Sequence, residues 1–185
     1  MSTILVNNIN DTGNNTLLTS DGSGNISSGG ALTNTPSFLA TLSASQTGLT
    51  SAAATKIQYN SEVYDTDGCY DNATNYRFTP TTAGKYYVYA SALVGNGSFT
   101  VSIMQKIYLY IYKNGSRYHD NEQAPQNSNV QYLHPYTGTV ITLNGTTDYV
   151  EIYVAPTSSD SSTCQVYGNS AREYSIFGAY RLIGA

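Results

Sequence analysis

The chain has 185 residues, a net charge of −4, 18 tyrosines and no tryptophan, and only 11% of it is charged. An average soluble domain carries roughly 25%, so a surface this poor in charge is a solubility hazard unless an assembly covers much of it. The basic residues are scattered, which argues against a phosphate-neutralising nucleic-acid surface, and no stretch approaches the ~18 consecutive apolar residues of a membrane span.

Residues 1–35 are rich in Asn, Gly, Ser and Thr, with short apolar clusters at Ile4-Leu5-Val6, Leu17-Leu18 and Ile26. Between them, the run from Asp11 to Asn15 and the run from Asp21 to Asn25 carry turn chemistry. Such a segment cannot bury enough apolar surface on its own. It reads as an arm that orders on another chain as short strands, a disordered tail being the alternative. Ile4, Leu5, Val6, Ile9, Leu17 and Leu18 are its expected attachment residues. No basic region followed by a hydrophobic run opens the chain, so a secretory signal is not expected and synthesis and folding in a cytosol are.

From Pro36 the pattern is all-β. Strands are predicted at Phe38–Leu42, Lys56–Asn60, Glu62–Tyr64, Tyr76–Thr79 and Lys85–Leu93. Others follow at Ile103–Lys113, Gly138–Leu143, Asp148–Ala155 and Tyr174–Ile183. Asn96-Gly97, Asn114-Gly115 and Asn144-Gly145 are tight-turn signals. Roughly eight to ten short strands of this kind make a sandwich or jelly roll. No repeat of fixed period is apparent.

The stretch Ile107-Tyr108-Leu109-Tyr110-Ile111-Tyr112 alternates strictly, and Tyr149 to Val154 repeats the scheme with Val150, Ile152 and Val154 on one parity. A strand has period two, so the aliphatic residues face a core and the tyrosines face away from it. A tyrosine face is amphipathic and suits a partner with some water nearby. Tyr108, Tyr110, Tyr112, Tyr149 and Tyr153, with Tyr87 and Tyr89, are therefore expected to meet other copies of the chain.

Two polar stretches, Arg117–Gln131 and Thr157–Arg172, are predicted as loops on one rim, where recognition usually sits. Tyr118, Tyr132, Tyr136 and Tyr167 are the candidates there for stacking on carbohydrate. His119, in Tyr118-His119-Asp120-Asn121-Glu122, and His134 lack the nucleophile elbow and partners of a triad. No feature pairs two carboxylates and no glycine loop cradles phosphate, so no catalytic residue is assigned and an enzyme is not expected. Glu62, Asp65, Asp67 and Asp71 form the acidic cluster, whose hard oxygens would suit Ca²⁺. A solvated loop is the plainer reading, and no cofactor is expected. Cys69 and Cys164 fit no metal spacing and read as buried thiols, with a late disulfide as the alternative.

Several motifs occur in an order that resembles a known superfamily. Phe78-Thr79-Pro80 precedes Ala83-Gly84-Lys85-Tyr86-Tyr87-Val88. Leu143-Asn144-Gly145 precedes Asp148-Tyr149-Val150, with Thr146 and Thr147 inserted. Phe177-Gly178-Ala179-Tyr180-Arg181-Leu182 closes the chain. Together they resemble the jelly roll of the complement C1q and tumour necrosis factor-like superfamily. The resemblance implies an all-β jelly-roll β-sandwich of about ten strands, packed as a homotrimer with aromatic side chains along the threefold axis, and in some members a calcium ion. The opening Ser2-Thr3-Ile4-Leu5-Val6 to Asn14, with Ser20-Asp21-Gly22-Ser23-Gly24-Asn25, resembles the start of bacteriophage virion proteins.

Together these imply a 36–185 head with a 1–35 arm that serves virion attachment or threads the trimer, built in a host cytoplasm and carried on a virion. The expected role is capsid decoration or cement, with the arm on the major capsid protein or other virion proteins. A fibre head recognising host surface glycans is the alternative, and a cellular adaptor of the same fold a third. Neither nucleic acid nor membrane is an expected partner.

Overall fold

Ile107, Leu109 and Ile111 are all fully buried, as are Val150, Ile152 and Val154, so the parity of the alternation is the parity of the core. The computed structural model describes residues 7–28, 34–97, 101–126, 128–160 and 163–183, and among these it contains strands and turns but no helix. They fall into two compact units. One ends at Asn34 and takes in Ile183; the other spans Thr35–Leu182.

The first unit is an antiparallel three-stranded sheet of β1 (Asn8–Asn10), β2 (Thr16–Ser20) and β3 (Ile26–Ser28). Its two turns are built alike, ten residues apart. Asp11 Oδ1 accepts the amides of Gly13 and Asn15, and the Asn15 side-chain amide returns to the carboxylate. Asp21 does the same for Ser23, Asn25 and the Asn25 side chain. Ile9 lies opposite Leu18, and Ser20 opposite Ile26, so Ile9, Leu18 and Ile26 share one face. Leu17 is the extra residue where the β1–β2 register shifts. Of the expected attachment residues, Ile4, Leu5 and Val6 lie outside the described residues.

The second unit contains, in chain order, β4 (Ser37–Thr41), β5 (Ala44–Leu49), β6 (Thr55–Lys56), β7 (Ser61–Asp65), β8 (Tyr70–Asp71) and β9 (Arg77–Phe78). Next come β10 (Gly84–Ser91), β11 (Val94–Gly95), β12 (Met104–Lys113), β13 (Ser116–Gln123) and β14 (Tyr132–Leu133). Last are β15 (Tyr136–Leu143), β16 (Val150–Ser158), β17 (Cys164–Asn169) and β18 (Ile176–Arg181). A five-stranded antiparallel sheet has the order β15-β10-β18-β4-β7, and a six-stranded one has β13-β12-β16-β9-β8 with β6 on β16. Their inner faces meet through aromatic rings. Phe38 of the first sheet lies 4.5 Å from Tyr70 and 4.7 Å from Phe78 of the second, and 4.8 Å edge-on from Phe177. The smaller sheet β14-β11-β17-β5 adds Leu49, Val94, Leu133 and Val166 to the same core. Cys69 and Cys164 are buried thiols in separate places, one against the Thr81 hydroxyl and the other against the Met104 sulfur.

Each of the two stretches expected as a loop is about half strand. Asn114 (φ 52°) and Gly115 (φ 75°) both sit in the left-handed region, which makes a two-residue type I′ hairpin. Such a turn sends the chain straight back along β12, so Ser116–Gln123 pairs with it from Lys113↔Ser116 onward. The strand hides from sequence reading because it is an edge strand, largely exposed and polar. The second stretch contains the end of β16 and all of β17, anchored by the fully buried Val166.

The turn after β8 repeats the arm's chemistry. Asp71 accepts the amides of Thr74 at 2.8 Å and Ala73 at 3.1 Å, and the Asn75 side chain at 2.7 Å. These donors, Thr74 first, hold its pKa at about 2 against an ordinary 3.8. The unfolded chain therefore binds this proton more tightly, so the contribution of Asp71 is complete above the ordinary carboxylate range and is lost as pH falls through its own titration. Urea-unfolding stability should decline between pH ~4 and ~2, and Asp71→Asn should remove part of that decline. An unchanged acid profile in the variant would contradict this.

Candidate functional site

Outside the core, each large sheet turns a tyrosine face away from the other, and the two faces differ. On the five-stranded sheet one row runs Tyr64, Leu39, Gly178, Tyr89, Gly138; the next runs Tyr180, Tyr87, Val140. Tyr136 lies two residues beyond Gly138 on the same side. A Cβ on Gly178 would fall 2.5 Å from the ring of Tyr89, and one on Gly138 would fall 2.6 Å from the Tyr87 hydroxyl. Both glycines are therefore floors against which the tyrosines lie. Tyr87 and Tyr89 have ring centroids 5.9 Å apart with planes within 23°, and the hydroxyls of Tyr87 and Tyr136 are 3.2 Å apart. Burial raises the pKa of Tyr89. These two rows and Tyr136 carry no charged side chain. Yet Tyr64, Tyr136 and Val140 are 44%, 50% and 45% exposed.

The six-stranded sheet treats its tyrosines in the contrary way. Tyr108 and Tyr110 stack at 5.6 Å, Tyr110 and Tyr112 lie 6.1 Å apart, and Tyr112 stacks on Tyr153 at 4.2 Å. Cations cover the ladder. Arg117 sits 4.1 Å from the centre of Tyr110, Arg77 4.5 Å from Tyr149, Lys106 4.9 Å from Tyr108 and Lys56 5.8 Å from Tyr153. Acids neutralise two of them: Lys56 pairs with Glu151 at 2.5 Å and Lys106 with Glu122 at 3.8 Å, while Lys113 at the end of β12 pairs with Asp148 at 3.0 Å. Each cation–π contact contributes roughly 0.5–1 kcal/mol at a surface. Four of the chain's eight basic residues lie over this ladder, and Tyr110 is left only 4% exposed within a single chain.

The seven tyrosines grouped from the sequence thus divide. Tyr87 and Tyr89 lie on the uncharged face, and Tyr108, Tyr110, Tyr112, Tyr149 and Tyr153 on the charge-covered one, pointing away from it. Period two tells which side of a strand a residue takes, not which sheet owns the strand. Leu39, Tyr64, Tyr180, Val140 and the two glycines were missed. The signal lay in Phe177-Gly178-Ala179-Tyr180, where a glycine occupies an outward position beside a tyrosine.

The four loop tyrosines do not gather. Tyr118 is the extra residue of a bulge in β13, and Tyr136 belongs to the uncharged face. Tyr132 and Tyr167 flank Gly95, but Tyr167 is a strand residue only 7% exposed, with its hydroxyl donating to the Asn96 carbonyl. The acids Asp65 and Asp71 are engaged in turns: Asp65 accepts the amides of Asp67 and Tyr70. Glu62 pairs across to Ala40 on an exposed stretch of β7. Among the described residues no group of three or more His, Cys, Asp and Glu could hold a metal.

No family model and no curated protein matches the chain. Solved structures do. Murine APRIL is 10% identical, over 79% of this chain and 98% of that one, with a TM-score of 0.55. The Eiger TNF of S. frugiperda is 8% identical, over 80% and 93%, with a TM-score of 0.56. The globular domain of the zebrafish complement 1qA protein is 17% identical, over 80% and 97%, with a TM-score of 0.49. At these identities the likeness is one of fold, carried by the two structures with TM-scores above 0.5: the chain is an all-β jelly roll of TNF-like shape.

Proposed function

We propose that the chain is a non-enzymatic bacteriophage virion protein that decorates or cements the capsid as a homotrimer. Copies meet through the outer face of the five-stranded sheet, and the N-terminal segment holds the assembly on the particle. The observation that carries the reading is the contrast between the two tyrosine faces. Interface cores are depleted in charge and enriched in aromatic residues, which describes the face of Tyr64, Tyr87, Tyr89, Tyr136 and Tyr180 and not the cation-covered ladder. Covering a half-exposed residue of this size contributes on the order of 1 kcal/mol, and threefold symmetry repeats each contact. The virion assignment is supported by the motifs at Ser2–Asn14 and Ser20–Asn25 and by the low charge content. The glycan-binding alternative is not advanced, because Tyr118, Tyr132, Tyr136 and Tyr167 form no common platform.

Two outcomes are expected. Gly178→Val forces the Tyr89 ring off its floor, so the variant should keep its circular-dichroism spectrum but lose its self-association by at least ~10-fold in the dissociation constant, the equivalent of roughly 1.4 kcal/mol. A variant that assembles as tightly as the parent would rule this face out. Removing residues 1–34 should leave folded trimers that no longer co-sediment with capsids. Undiminished co-sedimentation would retire the anchoring role of the segment.

A further inference from the structure

Ile9, Leu18 and Ile26 share one face of the β1–β2–β3 sheet and, with Asn7, Thr19 and Ser20, wall a hollow of about 160 Å³. Ile9 is 48% exposed and Ile26 71%. A sheet this small buries an aliphatic face only by setting it against a second layer, and within the sheet nothing supplies that layer. We propose that further copies of this chain supply it. In the homotrimer, three of these small sheets turn the Ile9, Leu18 and Ile26 face inward and close a second, three-sided apolar core.

Charge selects the occupant. The charged residues between Asn7 and Ser28 are Asp11 and Asp21, both in turns, with their carboxylates occupied by Gly13, Ser23, Asn15 and Asn25. The strands themselves offer no charge for a charged partner to complement, and identical copies meet without like-charge repulsion. The hollow also gives Ile26, the most exposed of the large hydrophobic side chains, an apolar place to enter on a neighbouring copy.

The inference rests on the homotrimer reading, because the head is what makes such a small contact sufficient. Joined heads hold three segments at high effective concentration, so each contact need not be stable alone. Ile9 and Leu18, expected from the sequence as attachment residues, are here given to the trimer, whereas Leu17 does not line the hollow and is 45% exposed, which leaves it for the expected attachment to the particle.

The test uses the intact chain, purified with no other protein, after light scattering has established its mass. Hydrogen exchange at Leu18, Thr19 and Ser20 should be at least ~10-fold slower than in an unstructured chain, and Ile26→Asp should abolish that protection while the mass stays unchanged. Because that variant could unfold the sheet outright, Leu18→Cys provides a second readout. Mild oxidation should link chains in the variant and not in the parent, whose Cys69 and Cys164 are buried. Free-chain exchange within a verified trimer, protection that survives Ile26→Asp, or an absence of inter-chain linkage would each overturn the inference and leave the head trimer standing. A single-copy mass would instead overturn the homotrimer reading, and this inference with it.

Discussion

Gly138 and Gly178 set the character of the molecule's uncharged face. Any side chain at either position would occupy the space now held by Tyr87 or Tyr89. With the glycines in place, the tyrosines settle against the sheet in two central rows that carry no charged side chain, where Tyr64 and Val140, with Tyr136 beside them, stay at roughly half exposure; Lys85 lies beyond these rows on the same side of β10. Without them the rings would be pushed outward and the surface would lose its shape. Residues without side chains thus decide what the most prominent side chains can do.

The other tyrosine face engages its rings within one chain. Tyr108, Tyr110, Tyr112 and Tyr153 stack on one another, and Lys106, Arg117 and Lys56 lie over them. Ion pairs to Glu122 and Glu151 spread the charge further. That face has its aromatic contacts satisfied within one chain. A chain with so few charges has placed half of its basic residues there, and the consequence is a second face that has none in its two central rows.

Much of this could be read from the residue pattern, and the limits were physical. The parity of Ile107 to Tyr112 is correct because burial enforces period two on both sides of a strand. The Asn114-Gly115 signal marks a true type I′ turn, yet the return strand it requires reads as a loop, because Arg117 to Gln123 is polar in composition and exposed at a sheet edge. Asp11 and Asp21 were legible as turn residues. Asp71 has an asparagine four positions on, as in those two turns, but its acidic neighbours Glu62, Asp65 and Asp67 mask that spacing. Nothing in a single sequence states cross-strand register, so the seating of Tyr89 on Gly178 and of the Tyr87 hydroxyl on Gly138 could not be foreseen. The same gap hid the cations over the tyrosine ladder, since Lys56 and Tyr153 are neighbours only through the pairing of β6 with β16.

On this reading the two charge-free tyrosine rows of the five-stranded sheet are covered by other copies of the chain. Multi-angle light scattering on the unmodified protein at micromolar concentration tests it most directly. The expected result is a single species of three times the 19.9 kDa chain mass, unchanged on moderate dilution. A stable, soluble species of one chain mass under the same conditions would contradict it.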